Sequence, residues 1–298
     1  MTDRFRWHPN ARLFDGAGRE IRQAPAVTTV LPDSPEGLAQ AIGLPAFRIG
    51  APDAPAPVSG AVPLCETLTS GSTGASRRVR RTQASWIASF ALSAGFGIGP
   101  GARVAVLGRL GQSLALYGAV EGLHLGAEVH LLAALRPDRQ RKALADRKIS
   151  HLYATPAQLR LLSEGTGDCP DLRLLLVGGS KLDPGLRAVL RAMAPTAQVR
   201  EFYGAAETSF ITLADEETPE GSVGRPYPGV AIRVDPSGEI WVRSPYLFLG
   251  YADASPPAED KALPSPPEGE REGGGATGKM PPTPIPSPRG GGEVPVLG

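Results

Sequence analysis

The chain has 298 residues, 41% of them hydrophobic, with 31 Lys and Arg against 30 Asp and Glu. That is enough apolar material for one large domain or two smaller ones, and a net charge of +1 gives no global reason to expect a nucleic acid or an anionic membrane as partner. The two cysteines, Cys65 and Cys169, are isolated and suit neither a disulfide framework nor a zinc site; with no apolar run of about 18 residues, the chain reads as a soluble cytoplasmic protein without a membrane span.

In chain order, residues 1–60 are expected to be a short irregular region. "SPEGLAQAIG" offers a helix start at Ser34, and the Pro-rich "APDAPAPVSGAVP" closes the region. Next comes "LTSGSTGASRRVRR", Leu68 to Arg81: small hydroxyl and glycine residues followed at once by Arg77, Arg78, Arg80 and Arg81. Such a loop can aim backbone N–H groups and hydroxyls at phosphate oxygens. It lacks the Walker pattern G-x-x-x-x-G-K-[ST] and the dinucleotide pattern G-x-G-x-x-G. From composition alone, a flexible linker with a basic flank is an equal alternative.

From residue 61 to 220 short β-branched runs, "RVAVLG", "AEVHLL", "HLYAT", "LRLLLVGG" and "QVREFYG", alternate with helical stretches. The pattern predicts an α/β fold with a parallel-sheet core and covering helices. Thr155 before Pro156 with Gln158, and Asp183 before Pro184, are helix-start signals just past two of those strands. Around Asp235-Pro236-Ser237-Gly238 two alternating runs predict a β-hairpin, so a small β-rich subdomain is expected over 221–251. Residues 252–298, rich in Pro and Gly and without an aromatic residue, are expected to form a disordered tail. His124, His130 and His151 lie in or beside apolar runs and are expected to be packed rather than catalytic.

Four segments in order, "LTSGSTGASR", "LLLVGGSKLDP", "REFYGAAET" and "GSVGRPYPGVAIRV…GEIWVRSPYLFLGY", resemble the signatures of the AMP-forming acyl-CoA synthetase, peptide-synthetase adenylation and luciferase superfamily. The resemblance implies an AMP-binding α/β core over 61–220 that adenylates a carboxylic acid with ATP and Mg²⁺ and passes the acyl group to a thiol, coenzyme A being the expected co-substrate. It implies that Thr69, Ser70, Gly71, Ser72, Thr73 and Gly74 wrap the ATP phosphates, with Arg77 in place of the usual Lys. Gly178, Gly179 and Ser180 would lie against adenine, Tyr203 and Gly204 on its other side, and Glu207 would bind Mg²⁺. Arg77 and Glu207 are the expected catalytic groups; a small carboxylic acid and a nucleotide are the expected partners. Arg78, Arg80 and Arg81 have no role in the resemblance and are expected on a solvated face at a helix start.

The sequence also departs from the family pattern. Ala206 stands where a Thr is usual, no "TGD" segment or C-terminal domain with its Lys follows Tyr251, the stretch before the phosphate loop is short, and Gln112 is the nearest residue to an expected pocket gate. Two readings follow: an acyl-CoA synthetase-like ligase with impaired activity, or a non-catalytic nucleotide- or acyl-binding remnant.

Overall fold

The computed structural model describes residues 3–69 and 76–252. The tail expected over 252–298 lies outside the described residues from 253 onward. In chain order the elements are β1 (Arg12–Phe14), β2 (Glu20–Ile21), β3 (Val30–Leu31), α1 (Pro35–Ala41), β4 (Ala46–Ile49), β5 (Leu64–Leu68), β6 (Arg78–Thr82), α2 (Gln83–Ser93) and β7 (Arg103–Val106). They continue with α3 (Ser113–Leu125), β8 (Glu128–Leu131), α4 (Pro137–Asp146), β9 (His151–Ala154), α5 (Pro156–Ser163), β10 (Leu174–Val177), α6 (Pro184–Met193) and β11 (Gln198–Ala205). The last are β12 (Ser209–Ala214), β13 (Arg225–Pro226), β14 (Ala231–Val234), β15 (Ile240–Arg243) and β16 (Gly250–Tyr251).

The alternation of strands and capped helices builds the predicted α/β sheet. Its nine strands run β13-β12-β11-β10-β9-β7-β8-β1-β2, parallel from β1 through β11 and antiparallel at both edges. The helix starts form as the sequence signals require: Thr155 and Gln158 close a reciprocal capping box on α5, and Asp183 caps α6 ahead of Pro184. A second sheet, β16-β6-β5-β4-β3, lies apart in hydrogen bonding, and β14-β15 is the expected hairpin.

Because side chains alternate across a strand, the nine-stranded sheet feeds two cores. Val104, Val106, Tyr153, Leu174 and Leu176 join one, and Ala105, Leu152, Ala154, Leu175 and Val177 join the other. Helices α2 and α3 cover the first face; residues of α4, α5 and α6 pack on the second. A Cβ on Gly118 of α3 would come within 2.7 Å of the Tyr153 ring, so only glycine lets the helix approach the sheet this closely.

The first 60 residues are not irregular. They hold β1 to β4 and α1, capped by Ser34, and bury Phe5, Leu13, Leu38 and Phe47 in the first core. The three histidines are packed as expected: His124, His130 and His151 are all buried. Cys65 and Cys169 are free and buried, and burial pushes the Cys65 thiol up to about 12. Among the described residues no helix is long and apolar enough to cross a membrane.

Candidate functional site

The hydroxyl-rich loop springs from a hairpin. β5 and β6 pair antiparallel down to Leu68↔Arg78, and two hydrogen bonds draw the neck shut: Thr69 N–H to the Arg77 carbonyl, 2.9 Å, and Arg77 N–H to Thr69 Oγ1, 2.9 Å. Ser70, Gly71, Ser72, Thr73 and Gly74 lie outside the described residues. The neck docks beyond the carboxyl end of β7: Leu68 N–H donates to the Gly111 carbonyl at 2.9 Å, and the Thr67 and Ser113 hydroxyls meet at 2.6 Å. Such a position, outside the carboxyl ends of parallel strands, is where open α/β sheets take ligands.

β6 departs from the expected solvated face. Arg78, Arg80 and Arg81 lie on a strand, and Arg78 and Arg81 are buried. The cause is Glu66 on β5, whose carboxylate is fully buried: Arg48 approaches Oε2 at 2.8 Å and Arg80 approaches Oε1 at 2.9 Å, with Arg78 at 3.5 Å from Oε2. A buried carboxylate requires such pairing. Arg81, on the opposite face of β6, donates to the Ala206 carbonyl, to Ser209 Oγ at 2.9 Å and to the Tyr246 carbonyl at 3.2 Å. Burial holds its guanidinium down at about 10, partly offset by Cys65 and Glu207. Arg81 therefore pins the segment that carries Glu207.

That segment turns β11 into β12. Tyr203 and Gly204 sit within β11, not past its end, and the ladder to β12 shifts register between them. Glu207 lies in the turn. Its carbonyl accepts from Phe248 N–H at 2.8 Å, and its Oε1 accepts from the Tyr251 hydroxyl at 2.8 Å. Tyr251 in turn lies under Arg77, whose guanidinium carbon is 3.1 Å from the ring centroid. The two expected catalytic groups, 130 positions apart in the sequence, thus converge on one side chain.

Gly178, Gly179 and Ser180 follow β10 directly, beside β11. A Cβ on Gly178 would lie 2.1 Å from the Phe202 ring, so glycine is required there for packing. Gly179 and Ser180 are exposed and Tyr203 is half-buried, burial raising its phenol above the ordinary value. These residues form a second group on adjacent strand ends; no hydrogen bond among the described residues joins them to Arg77 or Glu207. Sequence reasoning missed Tyr251 and Arg81. The signals were present: Tyr251 ends the quoted "GY" segment, and Glu66 in the otherwise uncharged "LCETL" demanded buried cations from a neighbouring strand. Gln112, the nearest expected gate residue, instead bridges to Leu68.

Residues 14–252 match the family model described as AMP-binding enzyme. The chain is 33% identical over 208 residues to an uncharacterized acyl-CoA ligase, YhfT, of Bacillus subtilis (strain 168), covering 64% of this chain and 43% of that relative. It is 28% identical over 195 residues to a putative long chain fatty acid-CoA ligase, VraA, of Staphylococcus haemolyticus, covering 62% and 42%. Among solved structures, VinN with L-aspartate superposes with a TM-score of 0.57 at 25% identity over 67% of this chain and 55% of that one. O-succinylbenzoate coenzyme A synthetase from Bacillus subtilis, in complex with ATP and magnesium ion, has the same fold, with a TM-score of 0.56 at 23% identity over 64% and 43%. The matched part spans less than half the length of the curated relatives. With a family model matched over most of its length, the chain belongs to the AMP-binding enzyme family.

Proposed function

We propose that the chain binds MgATP and takes part in the activation of a carboxylic acid as its acyl-adenylate, the acyl group then passing to a thiol, coenzyme A in the first instance. The observation that carries this reading is the convergence of Arg77 and Glu207 on Tyr251 beside the neck of the hydroxyl-rich loop. The relatives' names as acyl-CoA ligases support it.

In this reading Thr69 and the residues Ser70 to Gly74 hold the phosphates, and Arg77 meets their charge with a planar fork where a point charge is usual in the family. Gly178, Gly179 and Ser180 flank adenine on one side, Tyr203 and Gly204 on the other. Glu207 is the carboxylate for Mg²⁺. A single carboxylate such as Glu207 suits an ion that keeps water and phosphate oxygens as its other ligands. When bound, Mg²⁺ neutralises phosphate charge. The chain's own contribution is positioning and charge complementarity at the nucleotide.

A second reading, nucleotide or acyl binding without adenylation, is favoured by Ala206, which offers no hydroxyl at the position where the family pattern has Thr and whose carbonyl is already taken by Arg81. Calorimetry tests the shared premise. Weak binding at millimolar MgATP, lost in Glu207→Ala, is expected; absence of heat, or an unchanged signal in Glu207→Ala, removes the site. Acid-dependent exchange of pyrophosphate into ATP then separates the two readings. Exchange that disappears in Arg77→Ala selects the ligase, and background exchange with intact binding selects the second.

A further inference from the structure

Tyr251 stands between two opposite charges and satisfies both without letting them meet. The face of its ring carries the Arg77 guanidinium at 3.1 Å, and its hydroxyl donates to Glu207 Oε1 at 2.8 Å. Among the described residues no ion pair joins Arg77 to Glu207, no protein acceptor takes an Arg77 side-chain N–H, and Glu207 Oε2 accepts no hydrogen bond. The ring is held from several sides. β16 pairs with β6 through Gly250↔Arg80 and Tyr251↔Val79. Leu249 and Ala252 N–H donate to the Arg80 and Arg78 carbonyls at 2.8 and 2.9 Å, Phe248 N–H donates to the Glu207 carbonyl at 2.8 Å, and the Phe248 ring meets Tyr251 edge-on at 5.2 Å.

We propose that Tyr251 is a positioning residue of the nucleotide site: a spacer that keeps Arg77 free for phosphate and Glu207 free for the metal ion. The inference rests on the reading of Arg77 and Glu207 given above. An exposed guanidinium and a partly buried carboxylate at this range would otherwise attract each other, and in direct contact each would occupy the other's ligand-binding atoms. Aromatic faces attract cations through the ring quadrupole, and a phenol hydroxyl donates well to a carboxylate. Tyrosine supplies both at opposite parts of one side chain, while Phe supplies only the first and Leu neither.

The test uses the full chain with Tyr251→Phe and Tyr251→Leu, circular dichroism confirming that each is folded. ATP affinity is measured by calorimetry in Mg²⁺ and in EDTA. In Tyr251→Phe affinity in EDTA should match wild type, while the gain on adding Mg²⁺ should fall by about tenfold, as expected for losing a hydrogen bond to a charged group. In Tyr251→Leu both should fall, and a ligand-free crystal structure should show Arg77 paired directly with Glu207. An unchanged Mg²⁺ gain in Tyr251→Phe, or Arg77 and Glu207 still apart in Tyr251→Leu, overturns the proposal. If wild type binds no ATP, the nucleotide reading fails by itself, and the Tyr251→Leu structure still decides whether Tyr251 separates the charges.

Discussion

Glu121 is a carboxyl group with no exposure to water, on the face of α3 that packs against the sheet. The Tyr153 hydroxyl donates to its Oε2, but Oε1 has no hydrogen-bond partner, and the nearby Tyr117 hydroxyl is engaged with Ser89 at 2.7 Å. Burial raises the acid from its ordinary value of 4.5 to about 7, the tyrosine and serine hydroxyls offsetting part of that effect. The sign follows from proton linkage. Below pH 4.5 the group is protonated folded or unfolded and costs nothing. As pH rises through about 7 the unfolded chain already holds the charge, so stability is lost across that window and stays lost above it. At ~1.4 kcal/mol per pH unit, the window is worth about 3 kcal/mol, a sizeable part of the ~5–15 kcal/mol that holds a typical domain folded. Glu121→Gln keeps an acceptor for Tyr153 and removes the titration. Urea unfolding of both proteins, with equal m-values as the check on two-state behaviour, should show the variant near wild type at pH 5 and more stable by up to about 3 kcal/mol at pH 8. Every other titrating group is common to the two proteins and cancels. A constant difference across pH 5 to 8 would refute the reasoning.

Two further outcomes are expected. His130 is stacked on Phe14 at 4.8 Å, and burial, with Arg147, Arg103 and Arg12 around it, lowers it to about 3; its contribution is intact above 6.5 and lost as pH falls toward 3, so His130→Phe should flatten the acid limb of a stability profile, and a parallel limb would count against it. Arg81→Met should lower stability by ~1–3 kcal/mol, the cost of leaving buried carbonyls without donors, and make the peptide bonds around Ala206 cleavable by limited proteolysis; unchanged cleavage would mean that the turn is held by something else.

The parallel core was legible because its signals are local. Strand runs such as "LRLLLVGG" and cap pairs such as Thr155 with Gln158 lie within one element or its junction. The N-terminal segment was not, because its strands are two to four residues long, and the one that joins the parallel sheet does so through a distant partner. β1 is held by β8, with Arg12 opposite Glu128, and neither "RLF" nor "EVHL" announces the other. The family segments located Arg77 and Glu207 but could not reveal that Tyr251 joins them, since that contact depends on how β16 lands on β6.

β6 accounts for the four arginines that follow the hydroxyl-rich loop. Strand alternation sends Arg78 and Arg80 toward Glu66 and Arg81 to the other face, onto the turn that carries Glu207; Arg77, just before the strand, is left for the ring of Tyr251. A composition rule that places arginine in water fails here because it averages over the two faces of a strand, and each face of this one meets an acceptor set already fixed elsewhere in the fold. The buried Glu66 cluster ties both strands of the hairpin from which the hydroxyl-rich loop springs to each other and to β4. Arg81 fastens that hairpin to the turn bearing Glu207. One five-residue strand therefore fixes the neck of the loop relative to the carboxylate, and a substitution at Arg81 should disturb both the fold at that turn and the spacing between Arg77 and Glu207.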